Sequence, residues 1–128
     1  MKLRIGVRAV GAVAFLGSFV SPAAPASKPD LAAGKTLYQR DCVSCHGATG
    51  KGDGADAAYF TTKAADFSDP AVLAKRSDDW LAAVITGGGP SKGLSRDMPP
   101  AKLSPAEVRD VIAYIRQFAA AGKGTQAK

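Results

Sequence analysis

The chain has 128 residues and a formal charge of +6, enough for one domain and too short for several. No Lys/Arg cluster or aromatic stacking surface accompanies that charge, which argues against nucleic-acid binding. Two cysteines and one histidine are too few for a zinc site with four Cys/His ligands.

The first residues read as an export segment. Lys2, Arg4 and Arg8 make a basic start, Ala9 to Val20 is an uncharged apolar run, and Ala24-Pro25-Ala26 offers small residues to a signal peptidase. The pattern predicts a signal peptide over residues 1–26, cleaved after Ala26, and so a periplasmic protein. The alternative is a retained anchor, but the 12-residue run from 9 through 20 falls short of the roughly 20 that a spanning helix needs. Removing 26 of 128 residues leaves 102, and losing those three cations takes the charge from +6 to +3. The folded domain is expected over 27–122, with a polar tail at 123–128.

Asp30 is placed to cap a first helix. Leu31, Gly34, Leu37 and Tyr38 then share one helical face. A glycine in a helix interior costs about 1 kcal/mol relative to alanine, so Gly34 implies close approach by another helix.

This helix leads into Cys42-Val43-Ser44-Cys45-His46. Two thiols three apart with an imidazole directly after is the spacing for covalent haem attachment. Thiols one helical turn apart face the same side, so each reaches one vinyl group on a single porphyrin edge, and the next residue presents its imidazole to the iron. A redox CxxC pair would sit at a strand-to-helix junction, and no strand pattern precedes Cys42. An oxidising compartment permits a reversible Cys42–Cys45 disulfide, but that leaves His46 unexplained.

Gly47 to Gly54 holds four glycines in eight residues. It lacks the Gly-Lys-Ser/Thr ending and preceding strand of a phosphate loop. It reads instead as backbone turning tightly beside a large flat ligand. Tyr59, Phe60 and Phe67 are irregularly spaced and are expected to line the pocket or anchor the loop. Ser68-Asp69-Pro70 reads as a turn opening a short helix. Ser77 caps a further helix with Trp80, Leu81, Val84 and Ile85 as its stripe, ended by Gly87-Gly88-Gly89-Pro90. Trp80 is expected in the core or pocket wall.

Ser91 to Leu103 reads as loop and contains Met98-Pro99-Pro100. Ser104-Pro105-Ala106-Glu107 is a capping box with proline at the first helical position. Val108, Val111, Ile112, Ile115 and Phe118 make the stripe of the last helix, with Tyr114 beside it. Gly122 is expected to end it. No period-2 alternation is long enough for a strand, so the fold class is all-α, three to five helices around a ligand.

From Ser27 onward only 22 of 102 residues are Leu, Ile, Val, Phe, Met, Trp or Tyr. A core that small has trouble offsetting chain entropy. A buried porphyrin would add the missing apolar surface, so the haem-free protein is expected to fold poorly. The single histidine is spent on one side of the iron. Met98, the one methionine after the signal segment, lies in a loop stiffened by Pro99 and Pro100. It is the candidate for the opposite side, the alternative being a gap-filling core methionine. Met/His ligation closes the iron and raises its reduction potential, which points to electron transfer.

These residues carry a resemblance. Gly34-Lys-Thr-Leu-Tyr38, Cys42-Val-Ser-Cys-His46-Gly47, Gly50 to Gly54, Ile85-Thr-Gly87-Gly88, Met98-Pro99-Pro100 and Leu103-Ser104 through Tyr114-Ile115-Arg116 together resemble class I c-type cytochromes of the small, exported, monohaem kind. The resemblance covers most of residues 30–119. It implies a cytochrome c-like fold, one haem c bonded through Cys42 and Cys45, and axial ligation by His46 and Met98. It also implies first and last helices that cross near Gly34 and Tyr114. Ala55 to Arg76 departs from the shortest members.

The activity implied is single-electron carriage between redox proteins, with no bond made or broken and so no enzymatic function. Two other classes stay open: a haem subunit fixed to a larger dehydrogenase or oxidase, and an open-site haem sensor or enzyme should Met98 not bind. Partners are expected to be a dehydrogenase, oxidase or reductase, with no nucleic acid, no membrane span after cleavage, and a monomeric state. Lys51, Lys63, Lys92 and Arg96 fall in loops that would rim a haem edge and steer acidic partners. Asp53, Asp66 and Asp97 interleave with them, which favours a scattered solvated surface equally.

Overall fold

Local signals start the helices. The computed structural model describes residues 27–125, so the signal-peptide expectation for 1–26 and the last three residues of the tail lie outside the described residues. Asp30 accepts the Ala32 and Ala33 N–H groups at 2.9 and 3.1 Å and opens α1, Leu31–Asp41. At Cys42 the helix breaks, and one further turn, α2, spans Val43–His46. Asp69, followed by proline, caps α3, Pro70–Ala74. Ser77 accepts the Trp80 N–H at 3.1 Å and caps α4, Asp78–Gly87. Single 3₁₀ turns occur at Ala57–Tyr59 and Gly89–Lys92, and α5 spans Pro105–Thr125. Among the described residues there is no strand.

The capping box forms as its residue types require. Ser104 N–H donates to Glu107 Oε2 at 2.8 Å, and Glu107 N–H donates back to Ser104 Oγ at 3.4 Å. The bond from Ser104 holds the Glu107 carboxyl below the ordinary glutamate value. A depressed acid stabilises the fold above its unfolded pKa and stops doing so as pH falls through its folded pKa. The Ser104 amide proton is therefore expected to titrate with a midpoint below about 4.3, the unperturbed glutamate value, and Glu107→Gln is expected to abolish that titration. A midpoint at or above that value by NMR would mean the box is open in solution.

The core is assembled by α1, α3, α4 and α5. Leu37, Tyr38, Leu73, Leu81, Ile85, Val111 and Ile115 are among its buried members. The main pairing is α1 on α5, and Gly34 is where they cross. A Cβ there would run into the Asp110 carbonyl and stand 3.1 Å from Tyr114 Cβ. Tyr38, only 1% exposed, packs its ring on Tyr114 and Phe118 at 5.5 and 5.2 Å between centroids. The Asp30 N–H donates to Asp110 Oδ1 at 3.0 Å, tying the start of α1 to the same helix. Arg116 ties α5 to the α3–α4 corner, donating to Asp78 Oδ1 at 2.7 Å and to the Leu73 and Arg76 carbonyls at 3.2 and 2.7 Å.

Three expectations need correction. Tyr59 does not anchor its loop by packing within the polypeptide: it is 84% exposed, on a one-turn 3₁₀ element. The final helix continues past Gly122 to Thr125. Three alanines before Gly122 favour helix, and Gly122 and Gly124 each cost only about 1 kcal/mol against a helix already running. The 91–103 stretch is not loop from its first residue, since Ser91 and Lys92 belong to the 3₁₀ turn.

Candidate functional site

The Cys42–His46 turn is fixed from both ends. Its amides bond back into α1 and its own first residue: Cys42 N–H to Tyr38 O, and His46 N–H to Cys42 O, each 2.9 Å. The Tyr38 hydroxyl reaches forward and donates to the Gly47 carbonyl at 2.7 Å. Burial raises the Tyr38 pKa well above the usual tyrosine value, so this donor keeps its proton. The glycine-rich loop turns as tightly as its composition implies, with positive φ at Gly47, Gly50 and Gly52, and Gly52 N–H donates to His46 O at 2.9 Å.

Both cysteines are free thiols and half-buried. Burial, with a smaller push from Asp41, raises the Cys42 thiol to about 11. Reactive CxxC thiols are instead lowered, to roughly 3.5–7.5. Cys42 is therefore not activated as the attacking thiol of a dithiol redox centre is, and the motif keeps its reading as an attachment site.

His46 decides whether an iron porphyrin fits. Its Nδ1 lies 3.2 Å from the Ala65 carbonyl oxygen. A carbonyl only accepts, so Nδ1 carries the proton and Nε2 keeps its lone pair. Metal-ligating histidines are held in this way, by a second partner on the other ring nitrogen. Burial lowers the imidazole pKa, the Ala65 bond opposing it, which favours the neutral ligand form. On the ring's face lies Phe67, stacked at 4.4 Å between centroids and 15° between planes. Two thiols and an imidazole with a free Nε2 on one turn are a donor set that suits haem c.

The family model for cytochrome c matches residues 31–119. The chain belongs to the cytochrome c family. No curated protein matches it. Membership carries the all-α cytochrome c-like fold, haem c as cofactor and electron transfer as the general activity. Among the described residues no helix is long and apolar enough to cross a membrane.

In this cytochrome Met98 sits on a different loop from the other three candidates. That loop is strapped to the end of α4. The Met98 carbonyl accepts from Gly89 N–H at 2.9 Å, and Ala101 N–H donates to Ile85 O at 2.8 Å. Gly88 has φ +73° and packs so closely that a Cβ would lie 2.9 Å from the Met98 oxygen and 3.0 Å from Pro100 N, which is why a glycine stands here against Met98-Pro99-Pro100. Met98 itself is half-buried, between exposed Asp97 and Pro99. Lys51, Lys63, Lys92 and Arg96 are all exposed. Sequence reasoning missed Ala65, which bonds His46 through a backbone carbonyl that any residue type supplies. Phe67 was noticed, but without its partner.

Proposed function

We propose that this cytochrome is a diffusible single-electron carrier of the periplasm, exported by residues 1–26. One haem is bonded through Cys42 and Cys45, with His46 and Met98 as the axial pair. The observation that carries the reading is the Nδ1 bond to Ala65, which leaves Nε2 as the ligating nitrogen. When bound, the haem supplies the one-electron exchange between a reducing and an oxidising protein partner. The chain's residues hold geometry. The Tyr38 hydroxyl and the Ala65 carbonyl anchor the His46 turn. The Gly88–Gly89 backbone anchors the Met98 loop. Thioether and imidazole groups on two separately anchored segments change little when charge changes, which keeps the structural cost of electron transfer low.

The test is spectroscopic. Exported protein is expected to begin at Ser27, to give a haem c signature in a pyridine haemochrome assay, and to ignore carbon monoxide when reduced. Met98→Ala is expected to lose the weak far-red thioether band of the oxidised state and to bind carbon monoxide. Wild type that binds carbon monoxide as freely as that variant would remove Met98 as a ligand and return the open-site reading.

A further inference from the structure

Residues 55–76 depart from the shortest family members, and their one contact with the candidate ligand so far is the Ala65 carbonyl. Two residues past that carbonyl, Phe67 lies flat on the His46 ring, centroids 4.4 Å apart and planes 15° from parallel. Phe67 is held firmly. Its N–H donates to the Gly50 carbonyl at 2.6 Å, and its side chain, 8% exposed, belongs to the same core as Leu73 and Ile85. The glycine-rich loop, the 55–76 stretch and the core thus converge on one phenyl ring.

We infer that Phe67 is a positioning residue that sets the plane of the His46 imidazole, and so the direction in which that ligand meets the iron. A single hydrogen bond of 3.2 Å at Nδ1 tolerates a range of ring tilts. A flat face held against the ring narrows that range. Core packing alone needs only apolar volume at this position and does not require parallel planes. The ligand plane matters because imidazole donates from a π orbital perpendicular to its ring. Its orientation therefore selects which iron d orbital is raised, and along which porphyrin axis spin density spreads in the oxidised state. Orientation of this kind by groups behind the ligand is a general way for proteins to tune a metal.

The inference rests on His46 being an iron ligand, and the experiment separates the two claims. Proton NMR of the oxidised holoprotein reads the four haem methyl resonances, whose order and spread report the ligand plane. Phe67→Leu keeps apolar volume and removes the flat face, and is expected to reorder the methyls or compress their spread. Phe67→Tyr keeps the face and is expected to retain the wild-type pattern, whatever either variant does to the urea midpoint. A wild-type pattern in the leucine variant, or a tyrosine variant as perturbed as the leucine one, overturns the role. Should the leucine variant fail to assemble, the wild type decides: cross-relaxation between Phe67 and His46 ring protons supports the role, and its absence overturns it. Wild type with no hyperfine-shifted methyls at all would instead overturn the proposed function, and this inference with it.

Discussion

Replacing Cys42 and Cys45 together by alanine is expected to yield colourless exported protein that lacks a cooperative unfolding transition. The reason is the size of the interior. Among the described residues eleven apolar side chains are buried, a small interior for a domain of this length. Cys42 and Val43 themselves pack against the cluster, as do Trp80 and Leu103. A bonded porphyrin beside them would extend the apolar interior, and the two thioethers would keep it there through every unfolding fluctuation. Each single cysteine variant is expected to fall between: one thioether still tethers the cofactor, with a lower melting temperature and greater loss of colour on denaturing gels. Circular dichroism melts of the three variants against wild type make the comparison. A colourless double variant melting sharply at the wild-type temperature would show that the polypeptide folds on its own core.

What could be read from the sequence, and what could not, divides by range. Caps are local: Asp30, Ser77 and Ser104 each bond to amides two or three residues on, so residue type and position identified all three. The attachment motif is local as well, five residues whose spacing is their chemistry. Gly34 was legible as an anomaly, a costly residue on an apolar face, and the family resemblance named its partner near Tyr114. The support behind His46 was not legible. Ala65 acts through its backbone from 19 positions away, and backbone leaves no side-chain signature. Phe67 reads as a pocket or loop-anchoring aromatic, and it is buried and bonded to the Gly50 carbonyl, but a segment with no periodicity has no pattern to reveal its partner. Arg116 tells the same story: its three acceptors lie 38 to 43 residues back, and two of them are carbonyls. Tyr59 is a further case: its place in the chain does not show that its short 3₁₀ turn leaves it 84% exposed by the polypeptide.

The helix crossing gives the second large effect, and here two known contributions oppose each other. Gly34→Ala removes an interior glycine from α1, and helix propensity alone predicts a gain of about 1 kcal/mol. The added Cβ, however, meets the Asp110 carbonyl and closes on Tyr114 Cβ at 3.1 Å. Both belong to the helical frame of α5, and neither is the movable end of a side chain, so relief requires the helices to separate. Overpacking of a well-fitted contact costs typically 1–3 kcal/mol and occasionally more. Separation would also loosen Leu37 and Tyr38, which are buried on the same face of α1, and the Tyr38 hydroxyl that holds the Gly47 carbonyl next to His46. The steric cost therefore wins, and Gly34→Ala is expected to destabilise the holoprotein by about 2 kcal/mol net. Gly34→Val adds two methyl groups in the same place, and is expected to leave little folded protein out of a total stability of about 5–15 kcal/mol. Lys35→Ala, one position along on the exposed side of α1, serves as the control and is expected to fall within about 0.5 kcal/mol of wild type. Urea unfolding followed by Trp80 fluorescence reads all three. A Gly34→Ala variant more stable than wild type would mean that propensity outweighs the contact, and that α1 and α5 do not meet at this point in solution.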